Sequence, residues 1–155
     1  MDEVSIARCL EDLKQEDEAV RQRATETLWR IWFEQKGDAG LERLQRAQLL
    51  FDSGKITAAE AMLTKTIQDY PDFAEAWNRR AVLYYLRHES EKSRSDCEEV
   101  VRLNPVHFGA WHGLGLCQAA LGNYRDAIAA FQKALDLQPY ASVNQKLILE
   151  CTMHL

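Results

Sequence analysis

Apolar side chains recur at close to an α-helical period along most of the chain, interrupted by short polar turns. Early in the chain, Val20, Ala24, Leu28 and Ile31 fall at i, i+4, i+8 and i+11 and make one stripe, which Trp29, Trp32 and Phe33 widen at its end. From residue 40 onward the helical segments come in pairs. LERLQRAQLLFDSG stops at Gly54, a residue suited to a left-handed C-cap. TAAEAMLTKTIQDY follows, with Thr57 as the expected N-cap and Glu60 completing a capping box. Pro71 ends the pair, because proline cannot continue a helix and restricts Tyr70 before it. In the second pair, AEAWNRRAVLYYL and SEKSRSDCEEVVRL, the turn residue is His88 where the neighbouring turns have Gly54 and Gly122. A left-handed residue there costs a side chain about 1 kcal/mol, which predicts a rearranged turn. The third pair occupies 108–139, and ASVNQKLILECTMHL then places Val143, Leu147, Ile148 and Cys151 at helical spacing.

The pairs repeat one another. Trp111, Leu114, Gly115, Gly122, Tyr124, Ala127, Phe131, Ala134 and Pro139 have counterparts at matching or near-matching offsets in the stretch before them, namely Trp77, Ala81, Tyr84, Ser93, Cys97, Val100 and Pro105. The chain's 3 prolines, Pro71, Pro105 and Pro139, lie 34 residues apart. A 34-residue period with this residue pattern resembles the tetratricopeptide repeat, a helix–turn–helix unit. The resemblance implies an all-α solenoid of helical hairpins coiled as a right-handed superhelix. Its repeats would span 40–73, 74–107 and 108–139, after an N-terminal helical extension over 1–39 and before a C-terminal capping helix over 140–155. Such a helix is needed because the last repeat leaves an apolar face uncovered. Gly115 and Ala127 are expected to face each other so that two backbones approach, while Ser93 and Cys97 replace larger residues and predict a thin layer in the second repeat.

The extension reads as two helices. Asp2 or Ser5 is the expected cap of the first, and Glu16, Asp17 and Glu18 suit the positive end of the second. Gly37 and Gly40 are expected to end the block. The aromatic end of the second helix, Trp29, Trp32 and Phe33, reads as a cover for the first repeat or as a homodimer surface.

A net charge of −5 argues against phosphate-backbone binding and so against a nucleic-acid partner. The scattered Cys9, Cys97, Cys117 and Cys151 read as reduced thiols without metal spacing, and His88, His107, His112 and His154 complete no ligand set. No cofactor is implied. No apolar run reaches the roughly 20 residues that span a bilayer. The expectation is a soluble intracellular protein in a reducing compartment. GLGL at 113–116 sits inside a helix rather than after a strand, so it is no phosphate loop, and no nucleophile–base pair is visible. The chain reads as non-catalytic.

In proteins of the resembled family the first helix of each repeat lines a concave groove. That maps the groove onto Leu44, Gln48 and Phe51, then Asn78, Arg79, Val82 and Tyr85, then His112, Leu116 and Ala119. The family's clamp for acidic chaperone tails uses Lys, Asn and Arg at positions that here hold Leu44, Gln48, Arg79, Gly109 and Gly113, and none of them matches. An apolar groove with small residues at Gly109, Gly113, Ala119 and Ala120 implies a partner peptide or amphipathic helix, with Arg79 pairing a partner carboxylate. Occupation by the chain's own terminal helix, self-association, and a role as an enzyme's regulatory subunit are the other readings.

Overall fold

The computed structural model describes residues 3–155. Among them are nine α-helices and no strand: α1 Glu3–Asp12, α2 Glu18–Phe33, α3 Gly37–Asp52, α4 Ile56–Asp69, α5 Ala74–Leu86, α6 Ser90–Leu103, α7 Phe108–Ala120, α8 Tyr124–Leu137 and α9 Ser142–Thr152. The hairpins α3/α4, α5/α6 and α7/α8 stack in chain order, and α9 packs on α8. The all-α solenoid forms as expected.

The three hairpin turns share one construction. Gly54, His88 and Gly122 have φ of 78°, 63° and 81°. In each, the next amide returns to the carbonyl five residues back: Lys55 to Leu50 at 2.8 Å, Glu89 to Tyr84 at 2.9 Å, Asn123 to Gln118 at 2.8 Å. The second turn is therefore not rearranged. His88 takes the left-handed conformation itself, beside an Arg87 guanidinium held by Glu60 at 2.6 Å and Glu89 at 2.8 Å.

Those contacts also displace the expected capping box. Helix α4 starts at Ile56, one residue ahead of Thr57, with Lys55 at the N-cap making no side-chain bond. Glu60 instead binds Arg87 and accepts from the Tyr84 hydroxyl of the next repeat. At α2 the acidic cluster behaves as read, since Asp17 Oδ1 accepts from the Ala19 amide at 2.9 Å. Ser5 lies within α1, and Asp2 lies outside the described residues.

Each joint between repeats is tied by the first helix of the next. Trp77 Nε1 donates to the Pro71 carbonyl at 2.9 Å and Trp111 Nε1 to Pro105 at 2.7 Å. Arg43, standing where the tryptophan would, pairs with Asp69 at 2.6 Å and lies over the Tyr70 ring. Inside the third hairpin the Phe131 ring closes on Gly115, where a Cβ would come within 2.5 Å of it. Ala127 is fully buried in the same cluster, with Cys151 of α9. Gly40 does not break the chain: α3 begins at Gly37, whose φ is 65°, and Gly40 sits in the first turn of α3 against Phe73.

The N-terminal helices cover the first repeat only in part, through Phe33. Leu49 stands one period before Leu83, which packs with Ala59 and Leu63 of the preceding hairpin. Leu49 is 67% exposed, so no helix caps that face. The α1/α2 pair instead lies along the edge where α5, α7 and α9 begin. Cys9, Leu13, Ala24, Leu28 and Trp32 form a core with Phe108, joined by Val106 and Leu137. Lys36 pairs with Asp72 at 2.7 Å, and the Arg21 guanidinium sits 4.0 Å from the Tyr140 ring. Burial of Trp29 and Trp32 against the third repeat outweighs stacking on the polar outer side of α3, where Glu42 and Arg46 pair, while Phe33 packs against the first repeat's core.

Candidate functional site

Helices α3, α5 and α7 line a groove with two cavities. The first, about 110 Å³ between α3 and α5, is bordered by Leu44, Gln48, Phe51, Arg79 and Val82. The second, about 180 Å³ between α5 and α7, is bordered by Asn78, Val82, Tyr85, His112 and Leu116. Val82 belongs to both and forms the ridge between them. Nine of the ten residues predicted for the groove thus meet at two adjoining hollows. Ala119 does not; it packs against the buried cluster of Ala127, Phe131 and Cys151. Leu86, which the sequence reading omitted, lines the second cavity at 55% exposure. Its signal was available, one helical turn beyond Val82 on the same face.

The depth of the second cavity follows from the small residues of the second and third repeats. Gly113 carries no side chain over Cys97 to fill it, and Ser93 and Cys97 form its floor where larger residues would close it. This is the thin layer the sequence predicted. Ser93 Oγ donates to the Ala81 carbonyl at 2.7 Å and accepts from the Cys117 thiol at 3.1 Å, which ties three helices under the floor. The hydrogen bond with Cys117, reinforced by burial, holds the Cys97 thiol far above its ordinary range, so Cys97 faces the cavity as a neutral thiol rather than a nucleophile.

Arg79 is the one charged side chain among the described residues lining either cavity. It lies over the Phe33 ring at 4.9 Å and 3.7 Å from Glu75, with its side chain 35% exposed. Beneath it a buried polar group sets the edge of the groove. Glu75 accepts from Asn78 Nδ2 at 3.1 Å, and its other oxygen lies 2.9 Å from His107 Nε2. His107 Nδ1 accepts from the Ala110 amide at 3.0 Å, so the ring proton sits on Nε2 and points at Glu75.

Trp32 stacks on His107, and Trp29 packs edge-on against His107 and Phe108. A Cβ at Gly109 would meet Trp29 at 2.9 Å. Trp29, Trp32 and Phe33 therefore pack within the chain, and α2 bounds the groove at one end without entering either cavity. Helix α9 likewise leaves both open, although Asn144 reaches the His112 ring at 2.8 Å. Among the described residues no group of three or more His, Cys, Asp or Glu is placed to hold a metal. No described helix is long and apolar enough to cross a membrane.

Two models of the tetratricopeptide repeat match the chain, one over residues 44–96 and one over 109–140. The chain is 34% identical over 111 residues to a TPR repeat-containing protein of Rhizobium etli, covering 71% of this chain and 54% of that one. It thus spans about half the length of that relative. Among solved structures it superposes on the first TPR of Spaghetti (RPAP3) bound to the HSP90 peptide SRMEEVD, with a TM-score of 0.70 and 22% identity, covering 73% of this chain and 90% of that one. MamA (AMB-1) superposes with a TM-score of 0.68 and 19% identity over 97% of this chain and 80% of its own. Both likenesses are of fold.

Proposed function

The chain belongs to the tetratricopeptide-repeat family, whose members act in protein–protein interaction, and from that premise we propose that it is an adaptor or assembly factor holding a segment of a partner protein in the groove of α3, α5 and α7. The observation that carries this reading is the apolar ridge of α5. Val82 is 44% exposed and Leu86 55% exposed, side by side above two cavities that neither terminal helix fills. Exposed apolar side chains that border ready-made hollows favour a partner's apolar side chains, because water leaves both surfaces on contact. The proposal assigns no chemistry to the chain. The buried His107–Glu75 pair and the Cys97 thiol are bound to neighbours and serve the fold.

The test is affinity capture with the wild-type chain beside a Val82→Glu, Leu86→Glu double variant. Both residues are exposed, so the variant should keep its helical circular dichroism and melting temperature. Selective loss of one or more partners supports the groove; retention of all of them by a folded variant removes it.

A further inference from the structure

We infer that the segment taken by this groove is an amphipathic helix, bearing apolar residues at i and i+7, a small residue between them and a carboxylate opposite Arg79; the inference rests on the groove reading above.

The polar side chains along the groove argue for a helix over an extended tail. Gln48 donates to Asp52 at 2.8 Å, Asn78 to Glu75 at 3.1 Å, and His112 is bound to Asn144 at 2.8 Å. Ser93 is bound on both sides. The exposed lining of the second cavity is almost wholly apolar, so an extended peptide laid there would lose water from its backbone N–H and C=O groups with few groups to replace it. A helix brings its backbone hydrogen bonds with it.

Dimensions agree. From Asn78 to Leu86 the cavity-lining face of α5 runs eight residues, about 12 Å at 1.5 Å per residue, which matches a helix about 10–12 Å across. The two cavities lie on opposite sides of α5, one interhelix spacing apart, roughly 10 Å at the wide end for helices side by side. Two turns of a docked helix advance about 10.5 Å, so residues seven apart reach both hollows. The residue above the Val82 ridge must then be small. Charge fixes the remaining feature. Arg79 alone is charged along the cavities, and Phe33 supports one face of its guanidinium while Glu75 lies 3.7 Å away and is already engaged by His107 and Asn78. A partner carboxylate meets the exposed edge of that guanidinium.

Fluorescence anisotropy on the full chain tests this with three labelled probes. One is an amphipathic peptide of about 18 residues with Leu at i and i+7, Ala at i+4 and one Glu. The second is the same peptide with a central proline, and the third is the acidic tail SRMEEVD. The helix should bind in the micromolar range, the proline form at least tenfold more weakly, and Arg79→Ala should weaken the Glu peptide several-fold but not its Gln counterpart. Equal binding of helix and proline forms, or tighter binding of the tail, overturns the inference. If that tighter binding is lost in the Val82→Glu, Leu86→Glu variant, the groove reading survives without the helix. If no probe binds, the inference fails, and the capture experiment judges the groove by itself.

Discussion

The Trp32 indole lies nearly flat on the His107 imidazole, with ring centroids 4.5 Å apart and 17° between the planes. The contact joins α2 to the start of the third repeat and seals the Glu75–His107 pair from water, since both side chains are fully buried. It is part of the apolar core that anchors the N-terminal hairpin on the solenoid. Trp32→Ala should therefore cost about 3–5 kcal/mol, the range for losing a buried aromatic. Hydrogen exchange should show the loss concentrated in residues 3–33, with α5 to α8 still protected. Uniform loss of protection would instead make the hairpin part of a single cooperative unit.

Beneath the indole, removing the carboxylate should reveal the polar accounting. Glu75→Ala leaves His107 Nε2–H and Asn78 Nδ2 without their buried acceptor, which costs about 1–3 kcal/mol for each unsatisfied group. Glu75→Gln keeps an acceptor and should cost less. Chemical denaturation of the two variants decides this, and equal midpoints would remove the pair from any role in positioning the edge of the groove.

How much of this was legible depends on how far apart the interacting residues lie. The hairpins and their two glycine turns follow from local periodicity, the groove face from the family resemblance, and the 34-residue recurrence of Pro71, Pro105 and Pro139 places the joints. The path of α2 does not follow, because Trp29 and Trp32 meet His107 and Phe108 across more than 70 residues and no period links them. A signal did exist in the absence of apolar residues at Glu42 and Arg46, on the outer side of α3 where a covering helix would need them. Thr57 and Glu60 form a sound local capping box, yet Arg87 of the following repeat supplies a stronger partner for Glu60.

Packing of the third hairpin gives a sharper test of the repeat alignment. A Cβ on Gly115 would stand 2.5 Å from the Phe131 ring, and both residues lie within helices that cannot easily separate. Gly115→Ala should destabilise the chain by about 1–3 kcal/mol through overpacking, despite alanine's better helix propensity. Adding Phe131→Leu should restore part of that loss relative to the sum of the single changes, and a double-mutant cycle measures the coupling. Additive effects would mean that the two positions do not share the same space.

The Arg87–Glu60 contact carries a pH signature. Its hydrogen bond from Arg87 is the first cause that holds the Glu60 carboxyl below the ordinary carboxylate range, with the Tyr84 hydroxyl adding to it. A carboxyl whose folded value is lowered binds fewer protons folded than unfolded. The stability it contributes is present above its ordinary value and is lost as the pH falls through the lowered one. Arg87→Ala should thus lower the melting temperature at pH 7, and the gap from wild type should close as the solution is acidified through the carboxylate range. A gap that stays constant down to pH 2 would show that Arg87 acts through packing alone.

His88 occupies a left-handed turn that its two counterparts fill with glycine, and its φ of 63° lies close to their 78° and 81°. All three turns close the same five-residue hydrogen bond, so the backbone geometry is dictated by the hairpin and not by the residue at its tip. A side chain with a Cβ pays about 1 kcal/mol for that conformation, and glycine is relieved of it. His88→Gly should accordingly stabilise the second repeat by up to about 1 kcal/mol, less what glycine's freer unfolded chain takes back. In a chain of this size that corresponds to a rise of roughly 2–4 °C in melting temperature. Gly122→Ala, the converse change, should lower the midpoint by a comparable amount, since a Cβ there meets no neighbour within 4 Å and only the backbone objects. Calorimetry on the two variants separates strain from contact. A fall in stability for His88→Gly would mean that the imidazole supplies an interaction worth more than the strain it imposes.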